Sequence, residues 1–256
     1  MTQLTTVAFY ESIDLAGAWG ELAAIADQHV FTAGDDLTVP ELDRIVALAG
    51  GVASGGIGCA RLVSPSLRDI SLPIIAPING FADADAEPEI VPAVLDLRRC
   101  PLRLESDEAL NAQAHSDTTA AAAQWVIVWL ADAPIEPVEG EIITVRGTNT
   151  DTLVADAWTN GAIALMEDLP KGTYQVVGMR ALSAGLVAAR LSFRGGKWRP
   201  GCLGCDIEDD LSAPIFRYGA MGVWGEFEHN RIPSVDFLSI SADTDQDVFL
   251  DLIKVA

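Results

Sequence analysis

Apolar residues in the first fifty positions recur at helical spacing. Between residues 14 and 26 they lie three or four apart, at Leu15, Trp19, Leu22 and Ile25. A second stretch has Thr38 as a candidate N-cap, Pro40 in its first turn and the pair Gly50-Gly51 as its stop. Its apolar face would consist of Leu42, Ile45, Val46, Leu48 and Ala49. The spacing therefore predicts two N-terminal helices.

After Gly55-Gly56 the pattern changes to short apolar runs separated by Gly, Pro, Asn and Asp turns. Strands spaced roughly 8–12 residues apart, with no helix-length pattern between them, indicate a β-sandwich or barrel and not βαβ units. The candidate strands are Ile57–Val63, Ser71–Ile75, Pro101–Leu104, Ala109–His115, Gln124–Leu130, Glu141–Arg146, Ala162–Met166, Thr173–Leu182, Leu186–Phe193, Met221–Glu228, Val235–Ile240 and Val248–Val255.

One candidate strand, Gln124–Leu130, is apolar on both faces. Such a strand must be covered twice, by its own sheet partner and by a second layer. The second layer could be the N-terminal helices, a second sandwich or a neighbouring subunit. We therefore expect Trp125 and Trp129, together with Trp224 further along the chain, to be core or interface anchors.

The acidic, Pro-containing stretch at residues 83–92 is typical of an exposed connector. It favours a division into residues 1–99, with helices and accessory strands, and residues 100–256, with a β-sandwich. No internal repeat is visible by eye.

The net charge of −21 argues against direct nucleic-acid binding, which needs clustered Lys and Arg. No apolar run reaches the roughly 20 residues of a membrane span, and the N-terminus lacks the features of a signal peptide. We therefore expect a soluble protein with no transmembrane segment. Only three of the sixteen basic residues are Lys, and this fits subunit interfaces, where Lys is depleted.

Candidate chemistry is sparse. Cys202 and Cys205 have the spacing of half a zinc site, but the other cysteines are isolated, and the surrounding Gly and Pro indicate a turn holding structural thiols. The alternating carboxylates Asp243, Asp245 and Asp247 are weak candidates for a structural divalent cation, although the stretch fails the EF-hand pattern.

An acid pair, Glu226 and Glu228, would share one strand face with Trp224, as glycosidase carboxylates do. A solvated strand face is the alternative. The sequence contains no serine-nucleophile elbow and no P-loop. We therefore expect no enzyme activity, no catalytic residues and no cofactor.

Three segments together resemble the later strands of jelly-roll coat proteins of icosahedral bacterial or archaeal viruses. They are Leu169–Phe193 with Trp198-Arg-Pro-Gly, Val223–Leu238 and Val248–Leu252. The resemblance lies in the rhythm of strands and turns. It implies a jelly-roll β-sandwich over residues 100–256, with a compact double jelly roll as the second reading.

The resemblance also implies a function, that of a structural subunit of a viral capsid. Such a subunit would bind copies of itself, as trimers or larger assemblies, and other virion proteins. It would be made in the cytoplasm of the host and reside in the virion. The alternative is a β-sandwich that binds a carbohydrate or a cation through Trp158, Trp198 or Trp224.

Overall fold

The computed structural model describes residues 2–27, 30–38, 41–52, 58–68, 75–80, 94–105, 107–116, 120–205 and 213–255. Contacts divide the chain into two compact units. We call Val7–Asp132 the N-terminal unit, and Ala133–Ala256 together with Met1–Thr6 the C-terminal unit.

The fold is all-β, as the sequence predicts. Within the described ranges the helices are one α-helical turn, α1 (Pro65–Arg68), and one 3-10 turn at Pro214–Phe216. No helix in these ranges has both the length and the apolar content needed to cross a bilayer.

The two predicted N-terminal helices are wrong, because this region forms strands. The strands are β1 (Leu4–Ile13), β2 (Trp19–Ala24), β3 (Phe31–Ala33), β4 (Asp36–Thr38) and β5 (Arg44–Val52). Ala16 and Gly17 have φ of 45° and 75°, and this left-handed turn breaks the first helical pattern. In the second pattern, every residue from Ile45 to Val52 is buried. An unbroken apolar run suits a strand that is covered on both faces.

The remaining strands of the N-terminal unit are β6 (Gly58–Val63), β7 (Ile75–Gly80), β8 (Val94–Asp96), β9 (Leu102–Arg103), β10 (Ala109–Ser116) and β11 (Ala122–Ala131). They form two arrays. The first has the order β1-β11-β5, with β8 and β9 pairing successive parts of β5. The second has the order β2-β10-β6-β7. A short parallel pairing of β5 with β7 joins the two arrays.

The strands of the C-terminal unit are β12 (Ile142–Asn149), β13 (Trp158–Gly161), β14 (Ala164–Leu165), β15 (Thr173–Leu182), β16 (Leu186–Ser192), β17 (Gly201–Cys205), β18 (Gly225–Glu228), β19 (Ser234–Ser239) and β20 (Gln246–Lys254). One array has the order β12-β20-β15-β18. The other has the order β13-β19-β16-β17. Here too a parallel pairing, β15 with β17, joins the arrays.

The two units share one strand order. In each unit the first strand, β1 or β12, pairs with the last strand, β11 or β20. The last strand also pairs with a central strand, β5 or β15, and this central strand makes the parallel pairing with the other array. The order is consistent with a β-sandwich of the jelly-roll type.

The predicted division at residues 99 and 100 falls inside the N-terminal unit, between β8 and β9. Both of these short strands pair with β5. The predicted connector at residues 83–92 lies outside the described residues.

The core of the N-terminal unit is centred on the antiparallel pair β5 and β11. Large side chains of β11 lie opposite small residues of β5, with Trp125 across from Gly51 and Trp129 across from Ala47. A Cβ atom on Gly51 would lie 2.2 Å from Cζ2 of Trp125, so only glycine leaves room for the ring.

Candidate interaction surface

The three predicted anchors are buried within the single chain. Trp125 is 4% exposed, Trp129 is fully buried and Trp224 is 6% exposed. Burial of this extent leaves none of them as a surface anchor in this structure.

The predicted acidic cluster has other partners. Asp243 accepts hydrogen bonds from the Ser183 hydroxyl and from the backbone N–H groups of Ala184 and Thr244, at 3.2 Å and 2.8 Å for the amides. Burial alone would raise the pKa of Asp243, but these hydrogen bonds outweigh burial and hold the pKa below its ordinary value. Asp247 pairs with Arg146 through Nη2 and Oδ2 at 2.7 Å, and Asp245 is exposed. Over the described residues, no three His, Cys, Asp or Glu side chains converge as a metal-ligand set.

The predicted turn at Cys202 and Cys205 is wrong, because both residues lie in strand β17. Both are buried, at 1% and 2% exposure. Burial raises the pKa of the Cys202 thiol far above its ordinary value, so this thiol stays protonated and unreactive.

The acid pair Glu226 and Glu228 is exposed on β18, while Trp224 is buried. The prediction that Trp224 shares their solvated face is therefore wrong. Glu226 accepts a hydrogen bond from Gln175 Nε2 at 2.7 Å, across the pairing of β15 with β18.

The C-terminal unit contains a buried arginine stacked on a half-buried tryptophan. The guanidinium of Arg190, on β16, lies over the ring of Trp158, on β13, with 3.9 Å from Cζ to the ring centroid. Asp236 lies on the strand between them and accepts hydrogen bonds from Arg190 Nε at 3.0 Å and from Asn160 Nδ2 at 2.6 Å. Arg190 Nη1 donates to the backbone carbonyl of Thr6 at 3.1 Å. Arg190 is 3% exposed, so its charge depends on these partners.

The N-terminal unit contains a second stack of the same kind. The guanidinium of Arg61, on β6, lies 4.2 Å from the ring centroid of Trp19, on β2. Gln113 lies between them on β10, accepts a hydrogen bond from Arg61 Nε at 2.8 Å and donates to Glu21 at 3.3 Å. His115 packs against Trp19 with 5.5 Å between ring centroids.

The two stacks occupy equivalent registers. In each unit the tryptophan is the first residue of its strand, and a polar residue follows two positions later. The aligned cross-strand rows are Trp19–His115–Cys59 with Trp158–Leu238–Ala188, and Glu21–Gln113–Arg61 with Asn160–Asp236–Arg190. The match extends the shared strand order to individual side chains.

Both tryptophans are half-buried, and Asn160 is exposed as Glu21 is. The stacks differ at the arginine and at the residue between the strands, because Arg190 and Asp236 are buried. In the N-terminal unit Trp19, Arg61, Gln113 and His115 are half-buried, and Glu21 is exposed. Within the described part of the chain, Arg61 donates from Nε to Gln113, and its two terminal amino groups have no acceptor. The corresponding terminal amino group of Arg190 binds a backbone carbonyl.

Sequence reasoning missed both stacks. The sequence pattern predicts Trp19 on a helix face, and it offers Trp158 only as one possible ligand contact in the alternative function. The usable signal is a tryptophan followed two residues later by a polar residue, in Trp19-Gly-Glu and Trp158-Thr-Asn. That signal acquires meaning only after the strands of the two units are aligned by register.

No protein-family model matches the chain, and no curated protein matches its sequence. Among solved structures, the chain is similar to the crystal structure of the major capsid protein P2 from bacteriophage PM2. The two share 11% sequence identity, with a TM-score of 0.27 over 100% of this chain and 98% of that chain. A TM-score of this size carries no argument about fold or function.

Proposed function

We propose that this chain is a structural subunit of a viral capsid, built from two jelly rolls in tandem and assembling with copies of itself. The observation that carries the proposal is the eight-strand order that occurs twice in the chain. Jelly rolls have eight strands in two sheets and are found in capsid proteins and lectins.

The pairings support the double form over the single jelly roll at residues 100–256. Strands are numbered along the chain within each unit, with the accessory strands β3, β4 and β14 set aside and with β8 and β9 counted as one strand. 

In both units the eight strands pair as 1-8-3-6 in one array and as 2-7-4-5 in the other. It is the order that two successive Greek keys produce, with the first and last strands side by side. The region predicted as helices then supplies strands two and three of the first jelly roll, β2 and β5.

A tandem repeat of one fold favours closed assemblies. Each chain contains two units with the same strand order. In a ring of a few chains, similar contacts between these units can therefore repeat many times. Repetition lets modest contacts between subunits add up to a stable shell. The sequence resemblance to viral coat proteins supports the same function.

The proposal includes partners and location. The chain would contact copies of itself and other coat components, without binding nucleic acid directly, because its charge of −21 repels phosphate. It would be made in the cytoplasm of the host cell and reside in the virion.

The test is the size of the purified particle. Sedimentation velocity and negative-stain electron microscopy should detect trimers or larger closed particles at moderate to high salt. A single species of 27.1 kDa at every protein concentration and ionic strength would rule out the proposal.

A ligand-binding module is the second candidate, favoured by one cavity. A cavity of about 450 Å³ lies in the C-terminal unit, lined in part by Ile135, Met221, Gln175 and Glu226. That volume is within the range of small-molecule sites. A glycan array with wild-type protein and Glu226→Gln tests this candidate, which requires a glycan that binds the wild type and not the variant.

A further inference from the structure

The two arginine–tryptophan stacks have the same register but different surroundings. In the C-terminal unit, Arg190 Nη1 donates to the carbonyl of Thr6, in the extended strand β1. In the N-terminal unit, the equivalent groups of Arg61 have no acceptor within the described residues, and the surface around them is partly exposed. We call the face formed by Trp19, Glu21, Cys59, Arg61, Gln113 and His115 the Trp19 face.

We infer that the Trp19 face binds an extended segment of a second copy of this chain. The inference rests on the proposed self-association and names the surface that takes part in it. Trp19 would supply apolar contact area, and Arg61 would donate to a backbone carbonyl or a carboxylate of the incoming segment.

The chemistry of the face fits this occupant. The ring of Trp19 and the side chain of Gln113 already fix the Arg61 side chain. Arg61 therefore loses little conformational entropy when its terminal N–H groups bind an acceptor. Trp and Arg are also the residues that most often dominate the energy of protein interfaces. The structure contains an example of the expected contact within one chain, because Arg190 donates to the backbone carbonyl of Thr6 in an extended segment.

The local charge at Arg61 also favours a second copy, although the net charges of two copies repel. Residues 7–132 contain six basic and nineteen acidic residues, and the whole chain carries 37 acidic against 16 basic residues. Arg61 is therefore one of few cations in a unit that is acidic elsewhere. The surface of another copy offers mainly carboxylates and carbonyls to such a cation.

Cysteine labelling tests the inference directly, because Cys59 lies on the Trp19 face and Cys100 is exposed elsewhere. The rate of alkylation by iodoacetamide is measured for each thiol in assembled and in dissociated wild-type protein. We expect assembly to slow labelling of Cys59 about tenfold or more, with Cys100 as the reference thiol. Equal Cys59 rates in the two states would overturn the inference.

A substitution provides the second test. Arg61→Gln should weaken self-association about tenfold, and Arg231→Gln, which removes an exposed arginine from another strand connection, should leave it unchanged. Thermal unfolding of both variants checks the fold. Arg61→Gln protein that keeps the wild-type melting temperature and assembles as the wild type does would overturn the inference.

The outcomes separate this inference from the proposed function. If the wild type assembles and Cys59 is alkylated as fast as in the dissociated protein, the Trp19 face is not an interface, and the proposed function stands. If the wild type remains at 27.1 kDa under all conditions, both fail. Protection of Cys59 in dissociated protein by an added glycan mixture would assign the face to a ligand and overturn the inference.

Discussion

Arg217 binds both carboxylate oxygens of Asp251, with Nε to Oδ2 at 2.7 Å and Nη2 to Oδ1 at 2.9 Å. Asp251 is fully buried in β20, and Arg217 follows the 3-10 turn. Asp251 also accepts hydrogen bonds from Thr144 Oγ1 at 2.7 Å and from the backbone N–H of Tyr218 at 3.0 Å. The ion pair therefore links the segment after the 3-10 turn to the central strands of the C-terminal unit.

Asp251→Ala should destabilise the protein by about 3–5 kcal/mol, because it leaves the Arg217 charge buried without its partner. Urea unfolding at pH 7 measures the change. Asp247→Ala is the matched control, since Asp247 pairs with Arg146, whose side chain is 45% exposed. The control should cost about 1 kcal/mol or less. Equal losses in the two variants would contradict the assignment.

Glu108 should make the stability of the N-terminal unit dependent on acid pH. Burial tends to raise its pKa, but hydrogen bonds from the Ser64 and Ser66 hydroxyls and from the Ser66 and Glu105 amides hold the pKa below its ordinary value of 4.5. The unfolded chain then binds more protons than the folded chain below pH 4.5. Stability from Glu108 is complete above that pH and is lost as the pH falls through the folded pKa.

The comparison of wild type with Glu108→Gln isolates this effect from the general loss of charge near the isoelectric point of about 4.2. The difference in unfolding free energy should be constant above about pH 5.5 and should shrink as the pH falls below 4.5. A difference that stays constant from neutral pH to pH 3 would contradict the prediction.

Gly51→Ala should destabilise the N-terminal unit by about 1–3 kcal/mol, because the new methyl group collides with the ring of Trp125. A double-mutant cycle with Trp125→Leu tests the cause. The smaller side chain frees the space, so the cost of Gly51→Ala should fall by about 1 kcal/mol or more in that background. Additive effects would mean that the collision is not the source of the cost.

If the chain assembles as proposed, the assembly should strengthen with salt. Subunits of charge −21 repel one another, and the screening length falls from about 30 Å at 0.01 M salt to about 3 Å at 1 M. Light scattering across this range should show larger mean particle mass at high salt. Mean mass that falls steadily from low to molar salt would contradict this electrostatic account.

The sequence predicts several strands correctly, because their apolar patterns fit a strand and not a helix. The two-sided apolar run around Trp125 and Trp129 is strand β11, and the predicted Thr173–Leu182 is β15 with the same bounds. The run from Leu42 to Ala49 was ambiguous, because its six apolar residues in eight fit a helix face as well as a buried strand. Pairing with β11 on one side and β7, β8 and β9 on the other decides in favour of the strand.

The candidate surface lay beyond the reach of the sequence for a different reason. Arg61 and Trp19 are far apart along the chain, and so are Arg190 and Trp158. Each pair meets only because two strands flank a third in a fixed register, and that register is set by long-range hydrogen bonds.

The sequence by itself determined the all-β class, the strong acidity and most strands of the second half, because local alternation and turn residues specify these features. Only the tertiary structure decided that the first half is a second body with the same strand order, and that the arginine of one stack is buried while the arginine of the other is half-buried. The physical reason is that strand pairing joins residues distant in sequence, and neither register nor burial is encoded in any short window of the chain.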